Sequence, residues 1–234
     1  ARKIGVLTTG RAGSSSLMDS MGSHPDIAIP NKQIDCPSNE LFGVVKPQRH
    51  WRDHARLSGS AVTDELSLTK AFYQRNTAPF SGFKTMPNRH RRFQQMVTEN
   101  EVQVICLIRR NLAATIASFI AATDTKSWQR HSERQQYRFR FSPVLKPRVN
   151  DHLIYLLKSL RQIAKFENAI TLKFEDLCSD IFCHPRLNDY FERPIQLHNP
   201  RRPHDGASYV ENWSEFKQHV RRVVREFQRQ SLSF

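Results

Sequence analysis

Several things are scarce in this sequence, and each shortage removes a class of function. Cysteine occurs four times in 234 residues, at 36, 106, 178 and 183, and never as a Cys-x-x-Cys pair. That spacing argues against zinc ribbons and thioredoxin-like redox sites, which need two closely spaced thiols. Cys106 stands inside the apolar run Val-Gln-Val-Ile-Cys-Leu-Ile and reads as an inert core residue. Cys178 and Cys183 are left either paired or free, and so sparse a set suits a reducing compartment. Long hydrophobic runs are missing too: nothing approaches the ~20 apolar residues of a membrane-spanning helix, and no secretory signal pattern is visible. We expect a cytoplasmic protein for which contact with a membrane surface stays open. The start, Ala-Arg-Lys directly before a strand, leaves room for a preceding anchor. Acid is the third shortage. Asp and Glu number 22 against 36 Lys and Arg, a net charge of +14. That excess suits a polyanionic partner such as nucleic acid, an acidic glycan, an anionic membrane face or a phosphorylated cofactor; a merely solvated basic surface is the plainer alternative.

What is present alternates between two periodicities. Lys3–Thr9, Phe80–Met86, Val102–Arg110 and Ala169–Leu177 are short apolar runs that read as strands. Leu17, Met18 and Met21 recur at helical spacing before Gly22 and Pro25. Thr63-Asp64-Glu65 signals the start of a helix through Arg75, and another follows at 90–100. Asn111 caps a helix that carries Leu112, Ile116, Phe119 and Ile120 on one face. A further helix is expected at about 150–167, a short helical piece near 178–191, and a final helix capped by Ser214 with Phe216, Val220, Val223, Val224 and Phe227 inward. No internal repeat is found. Strands alternating with helices imply one α/β domain over residues 1–234, with a mainly parallel central sheet flanked by helices. Residues 126–148, basic and aromatic without a clean period, read as an insertion or lid on the substrate side.

In such sheets ligands bind beyond the carboxyl ends of the strands, and two strand ends here are unusual. The first carries Gly10-Arg11-Ala12-Gly13-Ser14-Ser15-Ser16. Glycines let a turn aim its N–H groups at an anion, and the following helix adds its positive end. Counted from Gly10, a triphosphate loop of the form GxxxxGK[ST] would need glycine at position 15 and lysine after it; Ser15 and Ser16 stand there. Serines that simply cap a helix are the alternative. The second strand end carries Arg109-Arg110-Asn111, with Ser118 eight residues beyond Arg110, about two helical turns. A guanidinium beside a helix start pairs well with phosphate. A compact triphosphate would not span two strand ends. A nucleotide with a 5′ chain and a separate 3′-phosphate would.

The residues that carry these features resemble the sulfotransferases that use 3′-phosphoadenosine 5′-phosphosulfate (PAPS). Gly10–Leu17, GRAGSSSL, is similar to the 5′-phosphosulfate loop of the carbohydrate branch, and IRRNLAATIAS at 108–118 is similar to the 3′-phosphate motif, in a register that selects Arg110. LKFEDL at 172–177 and SYVENWSEF at 208–216 resemble two later stretches of the family, in the same order. Residues 104–128 look most like the bacterial nodulation-factor and lipopolysaccharide-type enzymes. The resemblance implies a P-loop-like sulfotransferase fold, PAPS as sulfuryl donor, no metal, and a hydroxyl of a carbohydrate or glycolipid as acceptor. It implies that Arg11, Ala12, Gly13, Ser14, Ser15 and Ser16 hold the 5′-phosphosulfate, and that Arg110 and Ser118 fix the 3′-phosphate. Glu40 in PSNELFG is the expected base, Lys84 in GFKTM the expected contact to the sulfonate or acceptor, and Arg202, or its neighbour Arg201, a late-loop contact to the cofactor. His24 and Pro25 match a family turn. Ala12 departs from the usual Ser or Thr, and Arg11 stands where cytosolic members carry Lys, which makes small aryl acceptors less expected.

The rival class is a non-enzymatic basic module for nucleic acid or acidic glycan. The charge and Tyr-Arg-Phe-Arg-Phe at 137–141 suit it, since rings stack on bases while arginines contact phosphate. No RRM, zinc-finger or homeodomain signature accompanies them, so no nucleic-acid partner is expected. His50 and His54 are four apart, but without further ligands nearby they read as surface residues.

Overall fold

The computed structural model describes residues 2–30, 62–87, 92–126, 137–178, 181–182, 184–192, 197–198 and 206–232. The chain opens with β1 (Arg2–Thr8), α1 (Ser14–Gly22) and β2 (Ile27–Ala28). Then come α2 (Glu65–Arg75), β3 (Phe80–Thr85), α3 (Phe93–Glu99), β4 (Val102–Ile108) and α4 (Leu112–Asp124). The second half holds α5 (Lys146–Ile163), β5 (Ile170–Lys173), β6 (Ile181–Phe182), α6 (Pro185–Phe191), β7 (Leu197–His198) and α7 (Trp213–Leu232), with short 3₁₀ turns at Pro143–Leu145, Phe174–Cys178 and Gly206–Tyr209.

Five strands form one sheet in the order β2-β3-β1-β4-β5, and every pairing in it is parallel. Val6 of β1 lies between Lys84 of β3 and Ile105 of β4. The chain leaves β1 towards β2 on one side and leaves β4 towards β5 on the other. This reversal opens a crevice between the ends of β1 and β4, the place where open α/β sheets take ligands.

Both faces of the sheet are covered, which is why its strands read as unbroken apolar runs. Ile4, Val6, Ile105 and Leu107 pack with Leu17, Met18 and Met21 of α1 and with Leu187 and Phe191 of α6. The intervening Leu7, Val104 and Cys106 face Leu68 and Phe72 of α2 and Phe93 and Met96 of α3. Cys106 is 1% exposed, and burial pushes its thiol up to about 12, so it stays protonated and inert. Asp64 caps α2: its carboxylate accepts from the Ser67 amide at 2.8 Å while the Ser67 hydroxyl accepts from the Asp64 amide at 3.0 Å.

A third cluster joins α4, α5 and α7 through Ile116, Ile120, Leu153, Leu157, Phe216 and Val220. Here the structure departs from expectation. Of residues 126–148, those at 127–136 lie outside the described residues, and 137–148 pack against the helical layer. Phe139 and Phe141 are buried and Arg138 and Arg140 exposed, so YRFRF has a strand's period of two. Phe139 bridges to Val210, and the Phe139 and Phe141 rings lie 6.1 and 5.3 Å from that of Phe216. The aromatics that suggested stacking on bases are therefore committed to the core. Helix α5 begins at Lys146, four residues early, through Pro147, whose fixed φ suits a first turn. Helix α7 begins at Trp213, and its first backbone bond runs from the Phe216 amide to the Asn212 carbonyl, so Asn212 holds the place expected for Ser214. The Asn212 side chain also accepts from the Phe141 amide at 2.7 Å and donates to its carbonyl at 2.9 Å.

Candidate active site

The loop after β1 is forced into its shape. Arg11 and Gly13 both have left-handed backbone, with φ of 65° and 79°. At Gly13 a Cβ would sit 2.4 Å from the Phe174 ring, so only glycine fits. Ala12 is fully buried against the sheet and anchors the loop through its methyl, which accounts for the absent hydroxyl at this position. Arg11 has no glycine's freedom, and a left-handed conformation costs an L-residue roughly 1–2 kcal/mol. Two contacts hold it there: its Nε donates to Ser118 Oγ at 3.1 Å, and Arg109 Nη1 donates to its carbonyl at 3.4 Å. Ser14 opens α1 behind a glycine that offers no side-chain cap, and the first turn holds no acid. Gly13 therefore leaves the positive end of α1, on the β1 side of the crevice, without a side-chain cap of its own. Ser15 and Ser16 lie in that turn, and Ser15 Oγ accepts from Lys84 Nζ at 3.1 Å. Lys84 is only 3% exposed, a buried ammonium at the end of β3.

The loop after β4 is built differently. On β4 the odd residues Ile105 and Leu107 face α1, and Arg109 continues that side. Arg109 is 8% exposed, and its guanidinium stacks 4.4 Å over the Phe174 ring, the same ring that closes on Gly13. Arg110 points the other way and is exposed. It lines a groove of ≈ 580 Å³ with Lys217, Arg221 and Arg225 of α7, above an apolar floor of Val220 and Val224. Ser118, expected to share a 3′-phosphate with Arg110, accepts a hydrogen bond from Arg11. The start of α4 is also closed. Asn111 Oδ1 accepts from the Ala114 amide at 3.0 Å, and Glu175 Oε1 accepts from the Arg110 and Asn111 amides at 3.0 and 3.2 Å. Glu175, which sequence reading passed over, lies just after β5 and fills the place an anion would take at that helix end.

Beside Gly10 opens a pocket of ≈ 320 Å³. Met86 lies beyond β3; Thr115, Ile116 and Phe119 of α4 and His152, Tyr155 and Leu156 of α5 complete its lining. The His152 ring centroid is 3.7 Å from that of Phe119. Burial holds the imidazole below its ordinary pKa, helped by Arg148 and opposed by Asp151. His152 stands at the edge of the Leu153–Leu157 stripe, where a polar residue ordinarily marks a solvated face, so no local pattern singles it out.

The expected residues thus divide. Arg11, Ser15, Lys84 and Ser118 come together from four elements, with Gly13, Ser14 and Ser16 in the same loop and turn. Arg110 is set apart in the α7 groove. Glu40, Arg201 and Arg202 lie outside the described residues, as do His50 and His54. Among the described residues no group of three His, Cys, Asp or Glu side chains is placed to hold a metal, and no helix is long and apolar enough to cross a membrane. No family model matches the chain, and no characterised protein matches it significantly. What can be stated of it is an α/β chain with a five-stranded, all-parallel sheet flanked by helices.

Proposed function

We propose that this chain is a PAPS-dependent sulfotransferase, moving the sulfuryl group of PAPS to a hydroxyl of a carbohydrate, glycolipid or similar acceptor and releasing adenosine 3′,5′-bisphosphate. The observation that carries the reading is the hydrogen bond from Arg11 to Ser118, across 107 residues of sequence. It joins two segments singled out separately as anion-binding, at adjacent strand ends beside the crevice. The donor set fits a phosphosulfate. Arg11, Lys84, Ser15, Ser118 and the amides at the start of α1 are all hydrogen-bond donors.

Sulfuryl transfer, like phosphoryl transfer, asks a protein mainly for in-line positioning and for donors where negative charge spreads. Lys84 and Arg11 supply fixed positive charge, and the α1 amides supply dipoles. Each is already ordered by β3, β1 or Ser118, so little reorganisation accompanies the reaction. Ser118 and Arg109 lie on the side where a 3′-phosphate would be held, and Arg110 adds charge apart from them, in the α7 groove.

A binding module for acidic glycan or nucleic acid is the second reading, favoured by the four cations of that groove. It predicts affinity that falls steeply with salt and takes no account of a 3′-phosphate. The test is transfer of labelled sulfate from PAPS to a panel of glycans and glycolipids by the wild type and by Lys84→Met. Transfer by the wild type, lost in the variant, is expected. Absence of transfer to every acceptor, with polyanion binding that salt abolishes, would favour the module.

A further inference from the structure

We infer that the pocket beside Gly10 is the acceptor site, that His152 is the base that takes the acceptor's proton, and that the reacting hydroxyl is carried by an uncharged, largely apolar body about one ring system in size. This rests on the transferase reading and narrows its acceptor towards the lipid-like end of the range, away from acidic glycans.

Three observations carry it. The first is position. Gly10 begins the anion-binding loop and also lines the pocket, while Thr115 lines it one turn before Ser118, so the pocket adjoins the donor cluster. The second is lining. Met86, Ile116, Phe119, Tyr155 and Leu156 give the ≈ 320 Å³ pocket apolar walls, a size at the small end for an organic ligand. Among the described residues no Lys, Arg, Asp or Glu lines it. A charged saccharide would lose its hydration there without a partner. The third is the one basic group in the pocket among the described residues. His152 is half-buried, fixed against the Phe119 ring at 3.7 Å, and kept neutral near pH 7. Among the described residues the charged and titratable groups around it are Arg148, Asp151 and Tyr155, all on its own helix, with Tyr155 on the pocket wall. Asp124 of α4 pairs with Arg148 at 2.6 Å and also takes the Tyr137 hydroxyl. Arg148 and burial outweigh Asp151, so the imidazole accepts a proton without being charged beforehand.

The step balances. The acceptor oxygen forms the new S–O bond, and its proton passes to a ring nitrogen of His152. The S–O bond to the 5′-phosphate breaks, and its electron pair leaves with adenosine 3′,5′-bisphosphate.

The experiment measures two things for the wild type and for His152→Asn: bisphosphate affinity by calorimetry, and kcat for transfer from PAPS to p-cresol, 4-methylcyclohexanol and a uronate disaccharide. We expect the variant to bind bisphosphate within twofold of wild type and to lose roughly 10²–10⁴-fold in kcat. The two neutral alcohols should be sulfated and the uronate not. Wild-type kcat should fall on the acid side with an apparent pKa below the usual imidazole value, and that limb should vanish in the variant. If the wild type transfers to the alcohols but His152→Asn keeps its kcat and its acid limb, His152 is not the base. If bisphosphate binds but only the uronate is sulfated, or none of the three, the acceptor assignment is overturned and the donor reading stands. If bisphosphate does not bind, the transferase reading falls and takes this one with it.

Discussion

The starts of α1 and α4 lie side by side, each after a central strand of the same sheet, yet they are finished in opposite ways. Helix α1 follows a glycine with no side-chain cap and has no acid in its first turn, and Arg11 and Lys84 stand at its approach. Helix α4 is capped by Asn111, and Glu175 has taken the two amides before it. Helix ends carry about half a unit charge wherever they occur. The contrast separates the two: a helix end can take an anion only where the chain withholds its own cap, and we propose that the α1 end, with Arg11 and Lys84 beside it, is such a place. The second half of the cleft works through side chains, with Ser118 and Arg109 holding Arg11 in place.

Four substitutions test that contrast, from the largest expected effect to the smallest. Gly13→Ala should be worst. It adds roughly 1–2 kcal/mol of left-handed strain and roughly 1–3 kcal/mol of overpacking against Phe174, read as a lowered urea midpoint; a wild-type midpoint would show that Phe174 yields freely. Lys84→Met should weaken adenosine 3′,5′-bisphosphate by the roughly 1.5–3 kcal/mol of a charge-assisted bond, a 10- to 150-fold rise in Kd by calorimetry. Arg11→Gly separates binding from folding. Relief of strain offsets the lost Ser118 bond and glycine's added chain entropy, so stability should stay within about 1 kcal/mol while affinity drops as for Lys84→Met. Asn111→Ala is the control at the closed end. It should cost roughly 0.5–2 kcal/mol of stability and leave bisphosphate affinity unchanged; a fall in affinity would mean that α4, not α1, anchors the ligand.

Much of this was legible in the sequence, for a local reason. The buried strands and the helices announce themselves by apolar runs and by periodicity; Gly13, Arg11, Ser15 and Lys84 sit at strand ends or a first turn that those elements fix, and Ser118 sits in the second turn of α4. What was missed depends on alternation or on distant partners. Counting eight residues back from Ser118 selects Arg110, but strand alternation carries Arg109 to the side of the loop and turns Arg110 outward. Glu175 caps a helix start 65 residues earlier in the chain, which no local pattern announces. Phe139 and Phe141 looked like a basic aromatic surface because the arginines between them hid a period of two. His152 needed the neighbouring helix to become visible, since Thr115, Ile116 and Phe119 of α4, with Gly10 and Met86, make its side of α5 a pocket wall. Glu40 and Arg202 fall outside the described residues, so the geometry bears on neither.

The most direct test of the central claim is calorimetric titration of the wild-type chain with adenosine 3′,5′-bisphosphate and, separately, with ATP and magnesium. The open α1 loop and its Arg11–Ser118 neighbour predict one bisphosphate per chain, bound at least tenfold more tightly than ATP and weakened by Arg11→Gly. Equal affinity for the two nucleotides, or bisphosphate binding untouched by Arg11→Gly, would contradict it.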